Sequence, residues 1–177
     1  GSIIGGQYKG FFDLLSLGWV DRGQQASWGQ AAGSAALYQA WRNNVDPVDM
    51  QPIKAHTIAD SISAGLPRDR VKAMRAVRES GGAFVSVSDE AILAAIPALA
   101  QATGVFAEPA AAAAYAGLRQ AVNEGLVKPE DRVVVLVTGN GLKDIASAMK
   151  AVGAGVPVAP NLGAVRAAVA EMGLVAR

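Results

Sequence analysis

The sequence predicts an α/β fold, a three-layer domain in which helices flank a mainly parallel sheet of roughly three or four strands. Three observations lead there. Val133-Val134-Val135-Leu136-Val137 is an unbroken apolar run, the pattern of a strand covered on both faces. It stops at a polar corner, Thr138-Gly139-Asn140-Gly141, beyond which Leu142, Ile145, Ala146, Met149 and Val152 recur at helical spacing. Other short apolar segments are each followed by a longer helical pattern, so residues 1–177 read as one α/β domain.

From the start of the chain, residues from about Ser2 to Leu17 predict a helix ending at Gly18, with Ile4, Tyr8, Phe11, Phe12 and Leu15 on one broad face. Lys9, one turn into that helix, reads as a solvated lysine. Gly23 to Gln30 has little apolar character, and a strand before Ala31 is the least secure of those expected. Leu37, Tyr38 and Trp41 place a helix over about Ser34 to Asn43, broken by Asn43-Asn44 and the Pro47 loop. Pro67 precedes a basic amphipathic helix in which Val71, Met74 and Val77 alternate with Arg and Lys, with Asp69 and Glu79 as intrahelical partners.

Ala83-Phe84-Val85-Ser86-Val87 predicts a short strand. Ser88-Asp89-Glu90 then supplies a cap and negative charge for a helix carrying Ile92, Leu93, Ile96 and Leu99, with Pro97 bending it. Glu108-Pro109 forms a second corner and opens an alanine-rich helix whose small side chains suit close approach to neighbours. Val156 to Pro160 is an extended connector, and Leu162, Val165, Val169 and Met172 form a last amphipathic helix.

The 16 basic and 15 acidic residues nearly balance, and no Lys/Arg block stands out, so charge gives no reason to expect a nucleic-acid partner. The chain has no cysteine, which excludes disulfides, thiolate metal sites and thiol catalysis. No long apolar span points to a membrane, and a cytoplasmic location is the expectation. Gly1-Ser2 reads either as a remnant of cloning or as the tail of a longer glycine-rich motif.

In open parallel sheets, ligands bind beyond the carboxyl ends of strands, which is where Thr138 carries its hydroxyl. The competing reading is that Thr138 merely ends a strand and the glycines merely make a turn. The corner is not a phosphate loop of the GxxxxGK[ST] or GxGxxG type. His56 is the only histidine. Without an acidic or metal-ligand neighbour in sequence it reads as structural rather than catalytic, and Asp60 reads as a backbone cap. The arginines of residues 68–78 read as a solvated face.

VTGNGLKD, with EPAAAAAYAGL before it and PRDRVKAMRAVRESGG earlier still, resembles the C-terminal half of the threonine synthase family. Those are pyridoxal-phosphate enzymes of the tryptophan-synthase-β fold type, also called fold type II. The resemblance runs from Gly1 to about Gly153, and HTIADSI, from His56, resembles the segment lining the approach to that family's active site. The polar stretch Gly23 to Gln30 departs from it, since the family has an apolar strand there.

The resemblance implies that the chain is the C-terminal portion of a larger two-domain enzyme and belongs to its large domain. It implies pyridoxal 5'-phosphate as cofactor and an amino-acid substrate, O-phosphohomoserine, converted with water to threonine and phosphate. Thr138 would face the pyridine nitrogen with a neutral hydroxyl, and Gly139 would allow close packing beside the ring. Glu108 would lie near the ring, and Gly1 and Ser2 would be the last residues of the phosphate loop at a helix N-terminus.

The covalently bound lysine lies in the family's N-terminal half, so no catalytic residue is expected within these residues. The chain alone should be inactive unless a missing half or a partner chain supplies the rest. Exposed apolar edges would then favour a partner or self-association as a homo-oligomer. The alternatives are a non-catalytic α/β binding or assembly module and an amino-acid ammonia-lyase of the same fold type.

Overall fold

The computed structural model describes residues 1–173. Its helices and strands are α1 (Ser2–Ser16), β1 (Trp28–Ala31), α2 (Ala36–Arg42), α3 (Arg70–Ser80), β2 (Phe84–Val87), α4 (Asp89–Thr103), α5 (Pro109–Asn123), α6 (Ile145–Val152) and α7 (Leu162–Glu171). Short 3-10 turns lie at Ala32–Ser34, Asp60–Ile62 and Gly141–Lys143. Helices and a small parallel sheet are thus combined, as the α/β expectation required.

β1 and β2 pair in parallel, with Trp28 opposite Phe84 and Ala31 opposite Val87. Successive strand residues point to opposite faces, so each strand feeds two cores. Trp28 and Phe84 pack with Ile4, Leu37, Met74 and Val77 from α1 to α3. Ala31 and Val87 pack with Ile92, Ile96 and Leu99 of α4 and with Ala112, Ala113 and Ala116 of α5. Helices therefore cover both faces, and the layering matches the expectation. The sheet itself is smaller, with two strands among the described residues in place of the three or four expected.

The largest correction concerns residues 133–137. The run is extended but is not a strand, and Val134 is 87% exposed. An apolar run becomes a strand only where a neighbour pairs its backbone N–H and C=O groups. Among the described residues, neither β1 nor β2 lies alongside it. Half-buried Val135 and Val137 alternate with exposed Val134 and Leu136, and Val137 rests on the second core.

The doubtful strand, by contrast, is present. β1 tolerates its polar composition because Gln30 is buried with its amide satisfied. The Gln30 Nε2 donates to the Ser34 carbonyl at 3.3 Å, and the Tyr38 N–H donates to Gln30 Oε1 at 2.7 Å. Its glycine is required by packing, since a Cβ on Gly29 would lie 2.8 Å from the Ala113 carbonyl oxygen. The alanine-rich α5 approaches the strand at that point, as its small side chains predicted.

α1 ends where expected, but only Ile4 of its apolar face is buried; Phe12 and Leu15 stay exposed. Lys9 pairs with Asp13 at 2.5 Å on the solvent side. In α3, Lys72–Asp69 at 3.1 Å and Arg75–Glu79 at 2.9 Å make the predicted solvated face. Ser88 caps α4 by accepting the Ala91 N–H at 3.2 Å. α7 forms as predicted, yet none of its residues is buried, so its apolar stripe faces outward. Among the described residues, no helix is long and apolar enough to cross a membrane.

Candidate functional site

The two corners singled out in the sequence meet. The Glu108 N–H donates to the Gly139 carbonyl at 3.1 Å, and the Gly141 N–H donates to the Phe106 carbonyl at 2.9 Å. Ala107 and Asn140 form an isolated antiparallel bridge between these bonds. Both corner glycines are closely covered by side chains: a Cβ on Gly139 would displace the Glu108 carboxylate, and one on Gly141 would displace the Phe106 ring. The space beside Gly139 is therefore filled by Glu108.

Side-chain caps finish the turn. Asn140 Oδ1 accepts the Leu142 N–H at 2.9 Å, and Asp144 Oδ1 accepts the Ser147 N–H at 2.9 Å at the start of α6. The hydrogen bond from the Ser147 backbone holds the Asp144 carboxyl below the usual aspartate range, with the Ser147 hydroxyl adding to it.

Glu108 stands at the N-cap of α5 and is only 6% exposed. Its carboxylate makes no cap hydrogen bond and instead accepts from Lys143 Nζ at 2.7 Å. The negative charge still lies at the positive end of a 15-residue helix, which favours it. Lys143, with its side chain 57% exposed, is the partner that sequence reasoning missed. It stands in the quoted motif, but nothing local distinguishes it from a solvated lysine, because its acid is 35 residues away.

A cleft of about 220 Å³ opens beside this pair, lined by Ile58, Asp60, Ser61, Glu108, Pro109, Ala110, Lys143 and Asp144. Its outer wall is pinned at both ends. Asp89 accepts from the Thr57 hydroxyl at 2.5 Å and from the Ile58 N–H at 3.0 Å. Ser34 Oγ donates towards the Ile62 and Ala64 carbonyls at 3.2 and 3.3 Å and accepts the Ala64 N–H at 2.8 Å. Asp89 was expected only as charge for the start of α4; its oxygens in fact hold the segment after His56.

Asp60 opens a 3-10 turn but makes no cap hydrogen bond, so its expected capping role gives way to a place in the cleft wall. His56 is exposed and outside the cleft lining; its backbone N–H donates to the Gly33 carbonyl at 2.9 Å. A larger hollow of about 520 Å³ lies over Gly18 to Gln24. It contains none of the candidate residues, so volume alone does not locate the site.

Thr138 is exposed, and of the expected ring-side residues only Glu108 lines the cleft; Thr138 and Gly139 do not. Gly1 and Ser2 form a separate group. Ser2 Oγ donates to Asp69 Oδ2 at 2.5 Å, and Gly1 abuts the Asp69 backbone. The Ser2 hydroxyl first, then Lys72, holds the Asp69 carboxyl below its ordinary range. Among the described residues, no hydrogen bond joins Gly1 or Ser2 to Thr138, Gly139 or Glu108.

These features define an α/β chain in which a glycine corner is laced to the N-terminus of a neighbouring helix. The chain belongs to the pyridoxal-phosphate dependent enzyme family, whose model matches residues 5–139. Glu108, Thr138 and Gly139 lie inside that match; Gly1, Ser2 and Lys143 lie outside it. The family's cofactor is pyridoxal phosphate.

The chain is 41% identical over 143 residues to a threonine synthase of Mycobacterium tuberculosis, covering 81% of this chain and 37% of that protein. It is 39% identical over 168 residues to a threonine synthase of Mycobacterium leprae, covering 95% and 43%. A threonine synthase of Methanosarcina acetivorans is 36% identical over 162 residues, covering 92% and 40%. The chain thus spans about two-fifths of the length of these relatives.

Proposed function

We propose that this chain supplies the pyridine-side wall of a pyridoxal-phosphate site in a threonine-synthase-like lyase of fold type II. The lyase would convert O-phosphohomoserine and water to threonine and phosphate. The observation that carries this reading is the lacing of the Glu108 corner to the Thr138 corner through Glu108–Gly139 and Gly141–Phe106 hydrogen bonds. Two stretches far apart in sequence, each matching a motif of that family, form one surface.

On the ring side, the exposed Thr138 hydroxyl suits a ring with one hydrogen-bonding nitrogen, whereas the space beside Gly139 is taken by the ion-paired Glu108 carboxylate, which would have to turn aside for a ring to pack there. The cleft is smaller than the roughly 300–1,000 Å³ of a complete small-molecule pocket, which supports one wall and not an enclosed site. At Gly1 and Ser2 the fit is poorer, because the Asp69 carboxylate occupies the place expected for a phosphate. A phosphate held there requires Ser2 to turn from Asp69.

When bound, pyridoxal phosphate would supply an electron sink for carbanionic chemistry through its pyridine ring, and the lysine that anchors it is expected outside these residues. In this proposal Thr138 orients the ring through a neutral hydrogen bond, leaving the ring nitrogen largely unprotonated. Gly139 and Glu108 set the depth of the corner. Ile58, held by Asp89, limits water on the open side, while Ser34 holds the same segment further on at Ile62 and Ala64.

The test is an assay of the native polypeptide carrying this sequence, supplied with pyridoxal phosphate and O-phosphohomoserine. Threonine and phosphate should form in equal amounts. Thr138→Val should slow turnover about three- to tenfold, the worth of one neutral hydrogen bond, with Thr138→Ser restoring it. Deamination of serine or threonine without any reaction of O-phosphohomoserine would replace this reading with an ammonia-lyase.

A further inference from the structure

We infer that Lys143 is a positioning residue: its ammonium holds the Glu108 carboxylate beneath Gly139 and so fixes the geometry of the Thr138 corner. The consequence for a cofactor rests on the function proposed above, but the latch is a property of this chain by itself.

Glu108 is buried at the N-cap of α5 yet forgoes the cap hydrogen bond that its position offers. The carboxylate turns towards the facing corner and meets Lys143 at 2.7 Å. It fills the volume that a side chain at residue 139 would otherwise need. A buried carboxylate without a partner is costly, so Lys143 determines whether that arrangement is retained. The lysine stands on the 3-10 turn Gly141–Lys143, directly after the backbone bridge, and is anchored by Asn140 on one side and the Asp144 cap on the other. Backbone bonds, a side-chain ion pair and a glycine contact thus tie the same two corners. Substitution of Lys143 removes the ion pair while leaving the backbone bonds and the Glu108 side chain in the sequence.

Pulling Lys143 away frees the Glu108 carboxylate to turn to solvent. The Glu108–Gly139 and Gly141–Phe106 hydrogen bonds then lose the ion pair that supports them, and the backbone at Thr138, next to Gly139, loosens with them. An exposed ammonium performing only a solubilising role has none of these effects.

The experiment compares the full chain with Lys143→Met and Lys143→Arg, without cofactor, by amide hydrogen exchange and by the Thr138 methyl resonance. Lys143→Met should speed exchange of the Glu108 and Gly141 amides about fivefold or more, equivalent to roughly 1 kcal/mol of local opening, and shift the Thr138 methyl signal. Lys143→Arg should restore both. Amides of α3, such as Ala73, serve as the control and should not change. Unchanged corner exchange in Lys143→Met, or acceleration spread equally over α3, overturns the proposal. Titrating wild type with pyridoxal phosphate tests the functional reading separately, so a failure of that reading leaves the latch result interpretable.

Discussion

Gly139 and Glu108 compete for one volume, and this makes their substitutions strongly non-additive. Gly139→Ala should destabilise the chain by about 1–3 kcal/mol through overpacking against the Glu108 carboxylate. Adding Glu108→Ala should recover much of that loss, because it empties the space the new methyl needs. Urea unfolding of the two single variants and the double variant measures the coupling; simple additivity would show that the contact is not made in solution. Asp144 offers a pH test. Its carboxyl titrates below the ordinary aspartate value in the folded chain, so the unfolded chain binds the proton first as pH falls. Its contribution is complete above the ordinary aspartate range and is lost as pH drops through its lowered value. Asp144→Asn should keep a cap but flatten that acid limb, whereas Asp144→Ala should cost about 0.5–2 kcal/mol at neutral pH. Thermal melts from neutral to acidic pH distinguish the two.

Among elements, those legible in the sequence were the ones whose signal is local. Ser88 before Asp89 and Ile92, or Glu108 before Pro109, carries its own start signal, and α4 and α5 begin there. The strands were read less well because a strand depends on its neighbours. Residues 133–137 have the composition of a buried strand and no pairing partner among the described residues. Trp28–Ala31 has polar composition and becomes a strand because β2 pairs with it and α2 uses the Gln30 side chain. The candidate site shows the same division. Glu108, Thr138 and Gly139 were singled out at glycine or proline corners and given roles by the family resemblance; the strand end that argued for Thr138 is not formed. Lys143 and Asp89 were not assigned their roles, since each acts on a residue more than 30 positions away. The segment after His56 yields a prediction at this scale. Asp89→Ala should expose the Ile58 amide and the Thr57 hydroxyl, speeding exchange at Ile58 and Ala59 with little change in α3. Protection that survives the substitution would mean that Ser34 alone holds the cleft wall.

Over the whole molecule, apolar side chains remain uncovered where the fold has no layer to place over them. Val134 at 87%, Trp19 at 75% and Leu142 at 71% exposure are the largest examples, and α7 buries nothing among the described residues. Exposed apolar surface favours association, so sedimentation of this chain should show concentration-dependent self-association that Val134→Lys reduces. A monomer at all concentrations would contradict that expectation. The pairing of the two corners has a different standing, because its hydrogen bonds are made within the chain, on either side of Asn140. The most direct measurement is the absorption spectrum of pyridoxal phosphate bound by the native polypeptide carrying this sequence, in wild type, Thr138→Ser and Thr138→Asp. Thr138 at the ring nitrogen predicts matching spectra for wild type and Thr138→Ser, and a distinct spectrum for Thr138→Asp, whose carboxylate favours a protonated ring. Identical spectra for all three would place the ring elsewhere and contradict the assignment of this corner as its wall.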